Sequence, residues 1–281
     1  MFHDKFPALI AGALGALILG TAAHAEDTAL REAVAGPQRS EAHQARDAAR
    51  NPYDSLVFWG LQPGQTVIEI SPGSGYWTEI LAPYAKATDG SYVAGVTDLN
   101  DPNVSEAVRR GREAFATKYA DAAVFGDIKY AGFGAVSGPL GEPGSADMVL
   151  TARNLHNWYW REGMLDKALA DFYAVLKPGG VLAVEEHRSD PRPQVEGARD
   201  GYMATDVVVA AAEKAGFKLA EASEINANPK DTKDHPFGVW TLPPVRQSAA
   251  RGETASPDFD RAKYDAIGES DRMTLRFVKP S

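Results

Sequence analysis

One alternation constrains this chain more than any other feature. A β-branched run, Thr66 to Ile70, leads through the small-residue loop Ser71-Pro72-Gly73-Ser74-Gly75 into a helical segment, Tyr76 to Tyr84. This is strand, tight glycine turn, helix, and the pattern then repeats. Ser91 to Thr97 reads as a second strand, Val104 to Tyr119 as a helix, and Ala122 to Ile128 as a third strand. Asp147 to Thr151 reads as a fourth strand and Glu162 to Leu176 as a helix. The turn Lys177-Pro178-Gly179-Gly180 leads into a fifth strand, Val181 to Glu185. A helix over Tyr202 to Ala215, a sixth strand over Phe217 to Ile225 and a last strand over Met273 to Val278 complete the series. Parallel neighbours need crossover helices, so the expected fold is α/β: a doubly wound, mostly parallel seven-stranded sheet with helices on both faces.

The ends and the insertions set the domain plan. Residues 1–25 contain one lysine near the start, an apolar and glycine stretch from Pro7 to Gly20, and a small-residue exit ending at Ala25. That layout predicts a signal peptide cleaved after Ala25, and hence a periplasmic or secreted protein. The stretch is shorter than the roughly 20 residues that span a bilayer, and no later apolar run is longer, so no membrane partner is expected after cleavage. Residues 26–281 then form a single domain with a helical extension at 26–64. Its break at Asn51-Pro52 separates a helical run over Ser40 to Arg50 from a short amphipathic helix bearing Tyr53, Leu56, Val57 and Trp59. Residues 226–271 carry five prolines and mixed charge. A loop this long in a compact domain reads as a lid, a substrate-side insertion or a surface excursion. The formal charge of -9 repels phosphate backbones, which disfavours a nucleic-acid partner. The absence of cysteine removes disulfides, thiolate nucleophiles and Cys-type zinc sites. The sequence is silent on oligomeric state.

The loop after the first strand sits where a doubly wound sheet binds ligands. Its glycines let a ligand approach the backbone, and the following helix start presents free N–H groups. A nicotinamide fingerprint requires G-x-G-x-x-G, and the spacing here does not fit it. The segment Glu69-Ile70-Ser71-Pro72-Gly73-Ser74-Gly75 instead resembles the first motif of class I S-adenosylmethionine-dependent methyltransferases, E/D-x-G-x-G-x-G, with Ser71 in place of the first glycine. Further segments resemble that family in order: Asp98 closing the second strand, Gly126-Asp127-Ile128, Asp147 to Leu150 running into Asn154-Leu155-His156-Asn157-Trp158, and Leu176 to Gly180. The likeness covers about residues 51–280. Within it, the stretch from Asn51-Pro52 through the glycine loop looks like a group of exported bacterial methyltransferases.

The resemblance implies a Rossmann-like sheet whose last strand is antiparallel, and S-adenosylmethionine as cofactor. It implies cofactor contacts from Glu69, Ser71, Gly73, Gly75, Asp98 and Asp127. Asp98 would accept from the ribose hydroxyls, as a carboxylate's two oxygens allow, and Asp127 would meet the adenine amino group. The activity it implies is methyl transfer to a small-molecule acceptor. An alternative is a periplasmic binding protein that keeps the fold without the catalysis, since fold alone does not prove activity.

Methyl transfer needs a base only when the acceptor loses a proton. His156 and His187, at the ends of the fourth and fifth strands, are the candidates for base or substrate contact. A packing or loop role is the competing reading of each. Strand alternation places Glu185 and His187 on one side of the sheet and Glu186 on the other. The spacing of His156, Glu185, Glu186 and His187 matches no metal motif, so no metal site is expected. Trp158-Tyr159-Trp160 suits either an apolar acceptor pocket or the core. The stretch from Asp234 to Trp240 could close over the site, and a histidine there, His235, is expected to be solvated.

Overall fold

A computed structural model describes residues 27–281. The signal-peptide reading of residues 1–25 lies outside the described residues. The chain opens with four short helices, α1 (Thr28–Ala35), α2 (Glu41–Gln44), α3 (Asp47–Arg50) and α4 (Pro52–Trp59). Then come β1 (Thr66–Ile70), α5 (Thr78–Ala87), β2 (Ser91–Thr97), α6 (Glu106–Lys118), α7 (Ala122–Phe125) and β3 (Lys129–Phe133). The second half runs through β4 (Ala146–Ala152), α8 (Leu155–Tyr159), α9 (Met164–Val175), β5 (Leu176–His187), α10 (Thr205–Lys214) and β6 (Lys218–Ser223). It ends with β7 (Pro236–Val239), α11 (Arg261–Ile267) and β8 (Arg272–Val278).

Seven strands form one sheet in the order β3-β2-β1-β4-β5-β8-β6. Strands β1 to β5 pair in parallel, and β8 inserts antiparallel between β5 and β6. The sheet's winding reverses between β1 and β4, so the crevice outside their carboxyl ends is the topological switch point where ligands bind in such sheets. Strand alternation divides the core. Ile68 and Ile70 of β1 pack with Leu169 and Phe172 of α9 on one face. Val67 packs with Ile80 and Leu81 of α5, and with Leu30 and Trp59 of the extension, on the other.

Three expectations change. The stretch Ala122 to Ile128 is not a strand: the Asp121 side chain accepts from the Ala123 amide and starts the short helix α7, which Gly126 ends at φ +68. The third strand begins instead at Lys129, pairing with Val93. The helix read over Ser40 to Arg50 is broken into α2 and α3. Asn51 then takes the left-handed φ of +41, and Pro52 occupies the first turn of α4, where its missing N–H costs nothing.

Residues 226–271 are tied into the body rather than looped out. Asn226 is buried and its Nδ2 donates to Ser55 Oγ and Thr274 Oγ1, each at 3.0 Å. His235 is buried, not solvated, with Nε2 2.8 Å from Asp231. A buried polar ring needs such a partner, and the Asp231 carboxylate supplies it.

Candidate functional site

The glycine loop is shaped by left-handed residues. Ser71 holds φ +54, Gly73 +60 and Gly75 +92. A Cβ on Gly75 would come 1.8 Å from the Tyr119 hydroxyl, which donates to the Ser74 carbonyl at 2.9 Å. At Gly73 an added Cβ would meet nothing within 4 Å, so the backbone there faces open space. The extension braces the loop from outside. His43 donates from Nδ1 to Glu79 at 2.8 Å, and its Nε2 lies 3.0 Å from the Ser74 hydroxyl. Burial lowers the pKa of His43 despite Glu79, which favours the neutral ring this bridge requires.

Behind the loop, Glu69 is buried on β1 and accepts from Thr78 Oγ1 at 2.8 Å and Tyr92 Oη at 2.5 Å. Burial raises its pKa to about 7, the two hydroxyl donors notwithstanding. Its carboxyl therefore links β1 to β2 and to the start of α5, beneath the loop.

A cavity of about 140 Å³ lies between the loop and the end of β4, lined by Glu69, Ser71, Gly73, Arg50, Arg153 and Asn154 among others. Arg50, the last residue of α3, is wholly buried. Its Nε donates to Glu269 at 3.0 Å, and its guanidinium carbon lies 4.5 Å from the centre of the Tyr76 ring. Both its Nη atoms are buried without a partner. With Arg46, Arg153 and Arg272 it makes a group of four arginines that, among the described residues, faces two carboxylates, Glu185 and Glu269. Burial raises the pKa of Glu269, but Arg50, Arg272 and Arg46 outweigh it and bring it down to about 2. Burial and the neighbouring Arg153 bring Arg50 down to about 9. The surplus of buried positive charge, with orphaned donors, suits a carboxylate arriving from a ligand. Sequence reading missed Arg50 because its signal is tertiary: Glu269 lies more than two hundred residues further along the chain.

A second cavity, about 200 Å³, adjoins the end of β5 and is lined by His156, His187, Asn157 and Arg153 together with Trp240, Leu242 and Pro243. His156, on the first turn of α8, has Nδ1 2.9 Å from Glu186 Oε1, and its amide donates to Glu186 Oε2. His187 has Nδ1 2.6 Å from Ser270 Oγ. Burial, then His156 and the arginines Arg153, Arg272 and Arg50, push His187 well below the usual histidine range, so it stands neutral. The Nε2 atoms of both rings have no protein partner among the described residues. His156, Glu186 and His187 place ligand-type atoms within 4.8 Å of one another. The Glu186 oxygens, however, are already taken by His156 and by the His187 amide.

The structure thus brings Glu69, Ser71 and Gly73 into one cavity and His156 and His187 into the next. Gly75 shapes the turn without lining either. Asp98 stands at the same edge of the sheet, just past β2, with Oδ1 accepting from the Asn100 amide at 3.0 Å. Asp127 is not brought to the site. It precedes β3 and lines a separate depression with Gly90 and Ser91, at the amino end of the sheet. The shift of β3 is the cause: the residue that follows its carboxyl end is Gly134, not an acid. Glu185 faces Arg272, Nη1 at 2.9 Å, while Glu186 faces His156, as alternation requires. Trp158 packs into the core against Phe133 and Phe172, and Trp160 is exposed. The aromatic that walls the second cavity is Trp240, which sequence reading placed only in a closing loop.

Two larger depressions lie away from the switch point. One, near Arg188, has its cations paired with Glu224, Asp271, Asp190 and Asp200. The other lies along α1 and α4.

Sheet order, switch-point glycine turn and antiparallel β8 together define the Rossmann-like fold of class I S-adenosylmethionine-dependent methyltransferases, and the chain has that fold. No family model matches it. It is 29% identical over 143 residues to a ubiquinone/menaquinone biosynthesis C-methyltransferase, UbiE, of Citrobacter koseri, an alignment covering 51% of each chain. The chain spans about half the length of the curated relatives it matches. Among solved structures it resembles the [4+2]-cyclase SpnF, with a TM-score of 0.53, 16% identity, and 88% of this chain and 85% of that one covered. It also resembles a putative sarcosine dimethylglycine methyltransferase of Galdieria sulphuraria, with a TM-score of 0.52, 14% identity, and 90% and 99% covered.

Proposed function

We propose that the chain is an S-adenosylmethionine-dependent methyltransferase acting on a small-molecule acceptor. The observation that carries this reading is Arg50: a wholly buried guanidinium with two orphaned Nη atoms, set against an open glycine turn at the switch point of a methyltransferase fold. The residues fit the amino-acid end of the cofactor. Arg50 would take its carboxylate, Gly73 would let it lie against the backbone, and Asp98, at the same edge, would accept from ribose hydroxyls. The carboxyl end of β3 offers no acid for adenine. When bound, the cofactor supplies an electrophilic methyl group, and the protein's task is to align an acceptor with it. His156 is the residue to take an acceptor proton: Glu186 holds its Nδ1, its Nε2 has no protein partner among the described residues, and the residue lines the second cavity. We also propose, from residues 1–25, that the protein is exported, which fractionation of cells and detection of a chain starting at Glu26 would test.

Calorimetric titration with S-adenosylhomocysteine tests the cofactor reading. Saturable binding is expected, weakened about tenfold or more by Arg50→Met and by Asp98→Ala, the scale of one lost charge-assisted contact. Absence of binding by folded protein would favour the non-catalytic binding-protein alternative.

A further inference from the structure

The residue that the cofactor reading leaves unexplained is Arg153. It follows β4 directly at the switch point and holds a left-handed φ of +59, a conformation that costs an L-residue with a Cβ roughly 1 kcal/mol or more. The fold over-determines it, since its amide donates to the Glu185 carbonyl at 2.7 Å. Its side chain lines both cavities, the one at the glycine loop and the one beneath Trp240. Its Nε is buried without a partner, and among the described residues its guanidinium makes neither a hydrogen bond nor an ion pair. The neighbouring carboxylate, Glu185, forms an ion pair with Arg272 at 2.9 Å and acts on Arg153 through its charge, but neither of its buried oxygens makes a hydrogen bond. A desolvated guanidinium with idle donors is costly to maintain unless an anion completes it.

The second cavity mixes two kinds of lining residue. Besides Arg153, Asn157, His156 and His187, its lining is Val239, Trp240, Leu242, Pro243, Pro244 and Val245, all without charge. The Trp240 ring lies 6.0 Å from His156, centre to centre. At about 200 Å³ the space is below the ~300–1,000 Å³ of common ligand clefts, which restricts it to a small guest. Resting on the methyltransferase reading for its role as acceptor, we propose that this guest is a small carboxylic acid: its carboxylate seats on Arg153, and its apolar body lies against Trp240 and Pro243. The planar fork of a guanidinium matches a carboxylate with two parallel hydrogen bonds. Arg153 then fixes the acceptor at one end, in a cavity that His156 also lines. Arg50 and Arg153 thereby divide the labour, one for the cofactor's carboxylate and one for the acceptor's.

Phenylacetate and its neutral isostere phenylacetamide are the probes, titrated calorimetrically into the protein with and without saturating S-adenosylhomocysteine. Phenylacetate is expected to bind at least tenfold more tightly than the amide. Arg153→Asn, in which asparagine tolerates the left-handed backbone, is expected to abolish that preference with the melting transition retained. Trp240→Ala, distant from the glycine loop in sequence, is expected to weaken phenylacetate more than S-adenosylhomocysteine. Equal affinity for acid and amide, or no binding of the acid by protein that does bind S-adenosylhomocysteine, overturns the proposal and leaves the cofactor reading standing. A preference for the acid that depends on Arg153, in protein that fails to bind S-adenosylhomocysteine, upholds the carboxylate seat and removes the methyltransferase reading.

Discussion

Two buried glutamates show how burial and neighbours decide charge at a single residue. Glu69, surrounded by apolar core and two hydroxyls, has its carboxyl raised to about 7. Glu269, among three arginines, has its carboxylate held down to about 2. Their effects on stability have opposite signs. The folded state binds the Glu69 proton more tightly than the unfolded chain, so its contribution is full below about pH 4.5 and is lost as pH rises through about 7. Glu269 contributes above about pH 4.5, and that contribution disappears as pH falls through about 2. Glu69→Gln should therefore be more stable than the parent at pH 8.5, by up to about 3 kcal/mol, and show little advantage at pH 4. Urea unfolding at the two pH values checks this, and an equal effect at both would contradict it. Neither value was legible in sequence. Glu69 reads there as a motif acid, and only the packing of Thr78 and Tyr92 against it reveals a strut beneath the loop.

Among the elements, the glycine turn was legible because its chemistry is local. Gly73 and Gly75 adopt left-handed backbone angles that glycine, lacking a Cβ, takes without a clash, and the turn joins a β-branched run to a helix. Gly75 is the position with least tolerance, since a methyl group there collides with Tyr119. Gly75→Ala is expected to destabilise the fold by roughly 2 kcal/mol, lowering the melting temperature by about 4–8 °C and weakening S-adenosylhomocysteine binding. An unchanged melting temperature would show that the loop is not held as described. The third strand was not legible, for reasons equally local. Ala122 to Phe125 is apolar enough to pass as a strand, but Asp121 caps it as helix. The true strand, Lys129 to Phe133, contains no β-branched residue and carries Gly132 packed against Asp98. Asp127 followed that shift to the wrong end of the sheet.

Across the whole molecule, the site is assembled from segments that the sequence separates. The N-terminal extension supplies Arg46 and Arg50, and Glu269, just before β8, receives both. The segment 226–271 supplies Trp240 as well as Glu269, which makes it part of the cavity walls. The parallel sheet and its switch point follow from hydrophobic periodicity and glycine spacing, while these long-range pairs do not, because no local pattern encodes which arginine meets which glutamate. On the proposed reading, the amino-acid end of S-adenosylmethionine lies in the cavity between Gly73 and Arg50. A crystal structure of the protein with S-adenosylhomocysteine tests this most directly. The ligand's carboxylate is expected on the Arg50 guanidinium, with its chain along the Ser71 to Gly75 backbone. A ligand seated elsewhere on the sheet, with Arg50 untouched, would contradict it.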